Sequence, residues 1–182
     1  MQSAIGLIEV SSIAQGFLVS DEMLKSAEVE LLLARTICAG KHITLISGEV
    51  GAVNASVAAG KRYADFALVD SLIIPNVHES IFPAIRGLNT ISNPDALGIV
   101  EAFSVSSLIE AADAAVKAAQ VQLIEIRLAM ALGGKAFFTI TGTVADVKAG
   151  VESAKNSIAQ KGLLTNAVVI PGPRSEIYRE IV

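Results

Sequence analysis

With one cysteine, Cys38, among 182 residues, the chain cannot form a disulfide with itself, and no multi-cysteine metal site can be built from a single copy. Tryptophan is absent, tyrosine occurs twice, and 18 acidic against 14 basic residues leave a net charge of -4 with no basic cluster. Without a basic patch or an aromatic stacking platform, nucleic acid is excluded as the main partner. Long hydrophobic runs are missing too. The longest stretch free of charge, Gly162–Pro173, holds two prolines and two glycines, whereas a spanning helix needs roughly 18 or more consecutive apolar residues. The start, MQSAIGLIEV, lacks the basic n-region and cleavable h-region of a signal peptide. These absences lead us to expect a soluble cytoplasmic protein in a reducing compartment. What is abundant is apolar surface: 52% of residues are hydrophobic and only 18% charged, against a usual charged fraction of about 25%. A monomer of this size does not comfortably hide so much, so oligomerisation is expected.

Self-similarity organises the chain. AIGLIEVSS from Ala4 returns as ALGIVEAFS from Ala96, pairing Gly6 with Gly98 and Glu9 with Glu101 at a spacing of 92. Asp21, Lys25, Ala27, Val29 and Arg35 match Asp113, Lys117, Ala119, Val121 and Arg127 in the same register. Gly40, Lys41 and Gly48 then match Gly134, Lys135 and Gly142 at a spacing of 94, which places a two-residue difference in length inside the turn that carries Cys38. LIIPNVH from Leu72 answers VVIPGPR from Val168, pairing Pro75 with Pro171. Leu88–Asp95, rich in turn formers, reads as the linker.

Each copy has the same pattern. Ala4–Val10 is a strand, and Ser11 or Ser12 can cap a helix whose apolar positions Ile13, Phe17, Leu24 and Ala27 fall on one face. Strands over Val29–Ile37 and His42–Ser47 flank the Cys38 turn as a hairpin, followed by a helix over Val50–Tyr63 and a strand over Ala67–Ile74. The second copy repeats this with strands at Leu97–Ala102, Val121–Met130, Ala136–Thr141 and Ala167–Ile170 and helices from about Ser106 and Val144. The order β-α-β-β-α-β, twice, predicts an α+β fold with an antiparallel sheet under two helices in each domain.

A free cysteine is most often a small buried hydrophobe. A hairpin turn is usually exposed, however, and in a cyclic trimer a residue near the axis meets two copies of itself, so that three thiolates can converge. Zinc is disfavoured because only His42 and His78 offer imidazoles and neither has a metal-site spacing to Cys38. In the second copy the turn has Leu132 and glycines in place of cysteine and is expected to sit off the axis. Its Gly-Gly-Lys lacks the upstream glycine and the following Ser or Thr of a phosphate loop. Glu9 and Glu101 each end an apolar strand, where a structural hydrogen-bonding role outweighs acid-base chemistry. No nucleophile, base and acid constellation occurs.

In order along the chain, ALGIVE, ADAAVKAAQV, a glycine-containing turn, GTVADVKAGVESA and VVIPGPR resemble the hallmark run of the bacterial microcompartment shell domain, and the first copy carries a looser version. The whole chain resembles the tandem-domain shell proteins. That resemblance implies two ferredoxin-like, microcompartment-type domains over residues 1–88 and 96–182. It also implies a homotrimeric pseudohexamer tiling with other shell proteins around metabolic enzymes in the cytoplasm, with no enzymatic activity of its own. TICAGK is similar to the branch found in propanediol-utilisation microcompartments, in which three such cysteines hold an iron-sulfur cluster at the central pore. By position this implies Cys38 as metal ligand of a [4Fe–4S] cluster shared by three chains, with Thr36, Ile37, Ala39, Gly40 and Lys41 as the pore loop. Electron transfer across the shell, to or from encapsulated redox enzymes, would follow. Lys25 and Lys117 match the lysines through which shell discs meet edge to edge. His78 and Arg174 match the histidine that closes the family's Pro-Arg-Pro-His run, in which Asn76 and Gly172 stand at the arginine position, so both copies lack an edge arginine. Two other readings stand beside this one: a tile with an open metabolite pore in which Cys38 is incidental, and a soluble ferredoxin-like regulatory or enzymatic trimer.

Overall fold

The structure, a computed structural model, describes residues 4–89, 91 and 94–181. Of the linker expected at Leu88–Asp95, Thr90, Ser92 and Asn93 lie outside the described residues. Described residues within Met1–Val77 and Met130–Gly134 form one compact unit, and those within His78–Ala129 and Lys135–Val182 form the other. The segment from His78 to Leu88, which the repeat assigns to the first copy, thus belongs with the second unit.

The first unit runs β1 (Ala4–Val10), α1 (Ile13–Ser26), β2 (Glu30–Ile37), β3 (Lys41–Gly48), α2 (Val50–Ala64) and β4 (Leu68–Ile74). Its sheet has the order β2-β3-β1-β4 and is antiparallel throughout. In the second unit come α3 (Ile81–Ile85), β5 (Ala96–Ala102), α4 (Val105–Ala118), β6 (Gln122–Arg127), β7 (Ala136–Gly142), α5 (Val144–Ile158), β8 (Leu164–Ile170) and α6 (Ser175–Ile181). There the order is β6-β7-β5-β8, again antiparallel. The α+β architecture is therefore present twice, and even the irregularities repeat: the register of the edge strand shifts between Leu31 and Leu33 in one sheet and between Leu123 and Glu125 in the other.

Local chemistry explains the elements. Ser12 caps α1 by accepting the Gln15 N–H at 3.3 Å, and Ser104 caps α4 by accepting the Ser107 N–H at 3.2 Å. Each such cap stabilises its helix by about 1 kcal/mol. β1 lies between β3 and β4 and is buried along its whole length, which is why AIGLIEV is nearly continuous in apolar residues. Gly6 and Gly98 are matched for a steric reason. A Cβ on Gly6 would come within 2.5 Å of Val57 on α2, and one on Gly98 within 2.8 Å of Val147 on α5, so each central strand lets its second helix sit directly on the backbone.

One expectation is corrected, and two features go beyond the sequence pattern. The face of α1 holding Ile13, Phe17 and Leu24 points away from the sheet and is exposed, while Gly16, Val19, Ser20 and Met23 face inward. Close approach selected that inner face: a Cβ on Gly16 would lie 2.3 Å from the His42 ring, and Ser20 Oγ sits 2.6 Å from Thr44 Oγ1 on β3. The strand expected over Val121–Met130 ends at Arg127, because Ala129 and Ala131 adopt φ of 50° and 57°, in a left-handed region that extended structure cannot include. The short helices α3 and α6 were not anticipated; they occupy matched positions in the two copies, each opening on the same turn, with the Ile81 N–H donating to His78 O and the Ile177 N–H donating to Arg174 O.

Candidate functional site

The β2–β3 hairpin pairs Ile37 with Lys41, leaving Cys38, Ala39 and Gly40 as its turn. Gly40 has φ of 72°, a conformation that glycine adopts without a Cβ penalty. Thr36, Ala39 and Gly40 are exposed, Ile37 is buried, and Cys38 is a half-exposed free thiol. The turn of the second copy lies against it. Met130–Gly134 belongs to the first unit, and the Ala131 N–H donates to Cys38 Sγ at 3.2 Å. No side chain announces this bond. It depends on the two extra residues of the second turn and on the positive φ of Ala129, Ala131, Gly133 and Gly134 that coil it.

The glutamates that end the first strand of each copy clamp the returning hairpin. Glu9, fully buried, pairs with Lys41 at 2.5 Å, and the matched Glu101 pairs with Lys135 at 3.2 Å. Lys41, the last residue of the expected pore loop, is thus held against the sheet and mostly withdrawn from solvent. The opposite side of the turn's return strand carries His42, which is completely buried. Neither of its ring nitrogens has a hydrogen-bond partner among the described residues, Gly16 presses on it, and the Phe17 ring lies 5.0 Å away, tilted by 51°. Burial pushes the His42 pKa down. The unfolded chain therefore takes up this proton first, and the contribution is whole above about pH 6.5 and declines as pH falls below it. We expect the urea midpoint of the wild type to drop further between pH 7.5 and pH 5.5 than that of His42→Phe; parallel profiles would show that the proton affinity of His42 does not change on unfolding.

The remaining expected residues have partners of their own. Lys25 forms an exposed i,i+4 ion pair with Asp21 on α1, and the hydrogen bond to Asp21 holds its ammonium above the ordinary pKa. Lys117 pairs with Asp113 at 2.5 Å on α4. His78 donates its backbone N–H to Asp113 Oδ1 at 2.8 Å, and its ring Nδ1 lies 2.8 Å from Ser80 Oγ. Arg174 pairs with Glu176 at 2.9 Å on the surface, and its hydrogen bond pulls the Glu176 carboxyl below its usual range. Among the described residues no group of three or more His, Cys, Asp or Glu side chains could hold a metal ion within one chain, and no helix is long and apolar enough to cross a membrane.

A family model described as BMC domain matches residues 4–77 and again residues 96–173. The bacterial microcompartment shell protein PduT of Citrobacter freundii is 46% identical over 182 residues, covering 100% of this chain and 99% of that protein. The carboxysome assembly protein CcmO of Synechocystis is 30% identical over 185 residues, covering 93% of this chain and 61% of that protein. A solved microcompartment protein from Desulfitobacterium hafniense superposes with a TM-score of 0.89 at 46% identity, covering 98% of this chain and 99% of its own.

Proposed function

Because the chain belongs to the BMC-domain family and carries that domain twice, we propose that it is a structural tile of a bacterial microcompartment shell in the cytoplasm. The tile is a homotrimer that meets other shell proteins at its edges, and its centre is a metal site that conducts electrons across the shell to or from enclosed redox enzymes. The full-length likeness to PduT, named as a shell protein, supports the tile; its oligomers and edges explain an apolar composition that one chain leaves partly exposed.

The observation that carries the metal centre is a free, half-exposed thiol on a hairpin turn, already accepting a backbone N–H. The donor set fits a site shared between chains, since one thiolate per chain gives three in a trimer. A [4Fe–4S] cluster usually takes four cysteines, so one iron would carry a non-protein ligand. When bound, such a cluster supplies a one-electron carrier. Cys38 would be its ligand, and the Ala131 N–H, by drawing electron density from sulfur, would favour the reduced form. The Glu9–Lys41 pair fixes the root of the turn.

Electron microscopy tests the tile. Concentrated protein is expected to form sheets or tubes, and Lys25→Ala with Lys117→Ala to abolish them; discs that never associate at any concentration would favour the soluble trimer. Iron and acid-labile sulfide per chain, on protein purified without oxygen, test the cluster, with about four irons per three chains expected. A colourless, iron-free protein even after anaerobic reconstitution would return Cys38 to the lining of a plain pore.

A further inference from the structure

In the connection between α2 and β4 the small side chains are buried and the large one is left in water. Ala64 and Ala67 are 0% and 1% exposed, while Phe66 between them is 89% exposed. Ala67 is tied down through its carbonyl, which accepts the Ser11 N–H at 2.8 Å and the Ser11 hydroxyl at 3.2 Å. Asp65 adopts φ of 47°, a conformation that costs a residue carrying a Cβ and persists only where its surroundings hold it. Phe66 is thus presented by an anchored connection. A single exposed apolar side chain is ordinary, but this one follows Lys61, Arg62 and Tyr63 on the last turn of α2, all of them exposed. The chain has six phenylalanines and two tyrosines, and one of each stands here. Neither Lys61 nor Arg62 has an ion pair among the described residues.

The second copy lacks this cluster. Lys155, Asn156 and Ser157 stand at the matched positions, and Lys155 is paired with Glu152 at 2.7 Å, where the first copy has Ala58. The connection that follows, 159–163, is two residues longer and contains no aromatic side chain. The edge lysines Lys25 and Lys117 recur in both copies, whereas this cluster belongs only to the copy with the cysteine. It also lies at the cysteine's end of the sheet. Val10, the last residue of β1, is opposite His42 near the start of β3 and opposite Leu68 at the start of β4. The Cys38 turn and the Phe66 connection therefore leave the sheet at the same end, with only β1 between their strands. Two strand spacings separate those strands, about 10 Å.

We propose that this cluster is the docking site of an acidic one-electron carrier protein. Two cations without ion pairs beside the single carboxylate of Asp65, on a chain of net charge -4, favour an acidic surface. Phe66, Tyr63 and Arg62 are of the aromatic and arginine types that dominate binding energy at the centre of an interface. A cluster this small suits the brief encounters of electron-transfer partners, which bury less than about 1,200 Å². Its place at the end that carries Cys38 brings such a partner near the thiol. The inference rests on the electron-conducting reading above and adds the partner's charge and the surface it meets.

Binding of an acidic plant-type [2Fe–2S] ferredoxin, followed by isothermal titration calorimetry on the assembled protein, tests it. The wild type is expected to bind at low salt and to lose affinity as salt is raised. Phe66→Ser should weaken binding about tenfold or more, and Lys61→Glu with Arg62→Glu should abolish it. Lys155→Glu with Asn156→Glu, in the second copy, should leave it unchanged. Native mass and circular dichroism should match the wild type in the first two variants, because Lys61, Arg62 and Phe66 are exposed. Ferredoxin that does not bind, or that binds the Phe66 and charge-reversed variants as it binds the wild type, overturns the dock. Polyglutamate that binds as tightly as ferredoxin would reduce the contact to bare charge and overturn it as well. Docking does not need the metal centre, so Cys38→Ser is expected to bind ferredoxin normally. Iron present without ferredoxin binding removes this surface and leaves the electron-conducting reading standing. A wild type without iron that still binds ferredoxin through Phe66 removes the centre and keeps the dock.

Discussion

Cys38→Ser yields a chain that folds and assembles like the wild type and holds no iron. The thiol is half-exposed on a turn, so its replacement opens no cavity, and the serine oxygen can accept the Ala131 N–H in place of sulfur. A hydrogen bond of this kind contributes about 1 kcal/mol, and exchanging one acceptor for another changes less than that. Iron binding has no such tolerance. Each chain has one cysteine, and the described residues offer no alternative group of three ligands. Iron is therefore expected to fall from about four per three chains to background, together with visible absorption and labile sulfide, while native mass and the urea midpoint stay put. Iron retained in the variant would remove Cys38 from the site.

Glu9→Ala is the most destabilising single change to the ion pairs described, and it costs about 3–5 kcal/mol. The Glu9 side chain is fully buried and its partner Lys41 is only 18% exposed, so the substitution removes the carboxylate that pairs with an ammonium largely withdrawn from solvent. The matched change, Glu101→Ala, separates a pair in which both side chains are partly solvated, and about 1 kcal/mol or less is expected. Sequence alone makes the two glutamates equivalent; burial makes them differ by a few kcal/mol. Chemical denaturation of the two variants side by side reads the difference, and equal losses would show that the buried pair contributes no more than the exposed one. Glu9→Leu combined with Lys41→Met is expected to be milder than Glu9→Ala, since it removes both charges together.

The repeat carried most of the fold into view, because matched glycines, glutamates and prolines pin the register of strands whose hydrophobic pattern is otherwise ambiguous. The β1 limits, the hairpin around Cys38 and the antiparallel α+β arrangement followed from it. On helix α1 the sequence pattern did not say which face packs inward, for a physical reason. Its most hydrophobic side chains, Ile13, Phe17 and Leu24, are exposed in the single chain, and its inward face is built from Gly16 and Ser20, which closeness to β3 requires. A hydrophobicity pattern records that a face is covered and does not say by which molecule. The cysteine and its turn were legible from a one-residue type in a two-residue length difference. The clamp from Glu9 was half legible, as a carboxylate without an acid-base partner. The Ala131 amide was not legible at all, since a backbone donor leaves no mark on residue identity.

That last feature has a bearing on how the site responds to mutation. The bond to sulfur is written in chain path and turn length, so truncating side chains through Ala129–Gly134 would leave the donor in place, and a survey of substitutions would score the turn as expendable. Deleting a single residue there would shift the amide by a full peptide unit. The cysteine's environment is in this sense insured against point changes and exposed to insertions and deletions, the reverse of a site assembled from side chains.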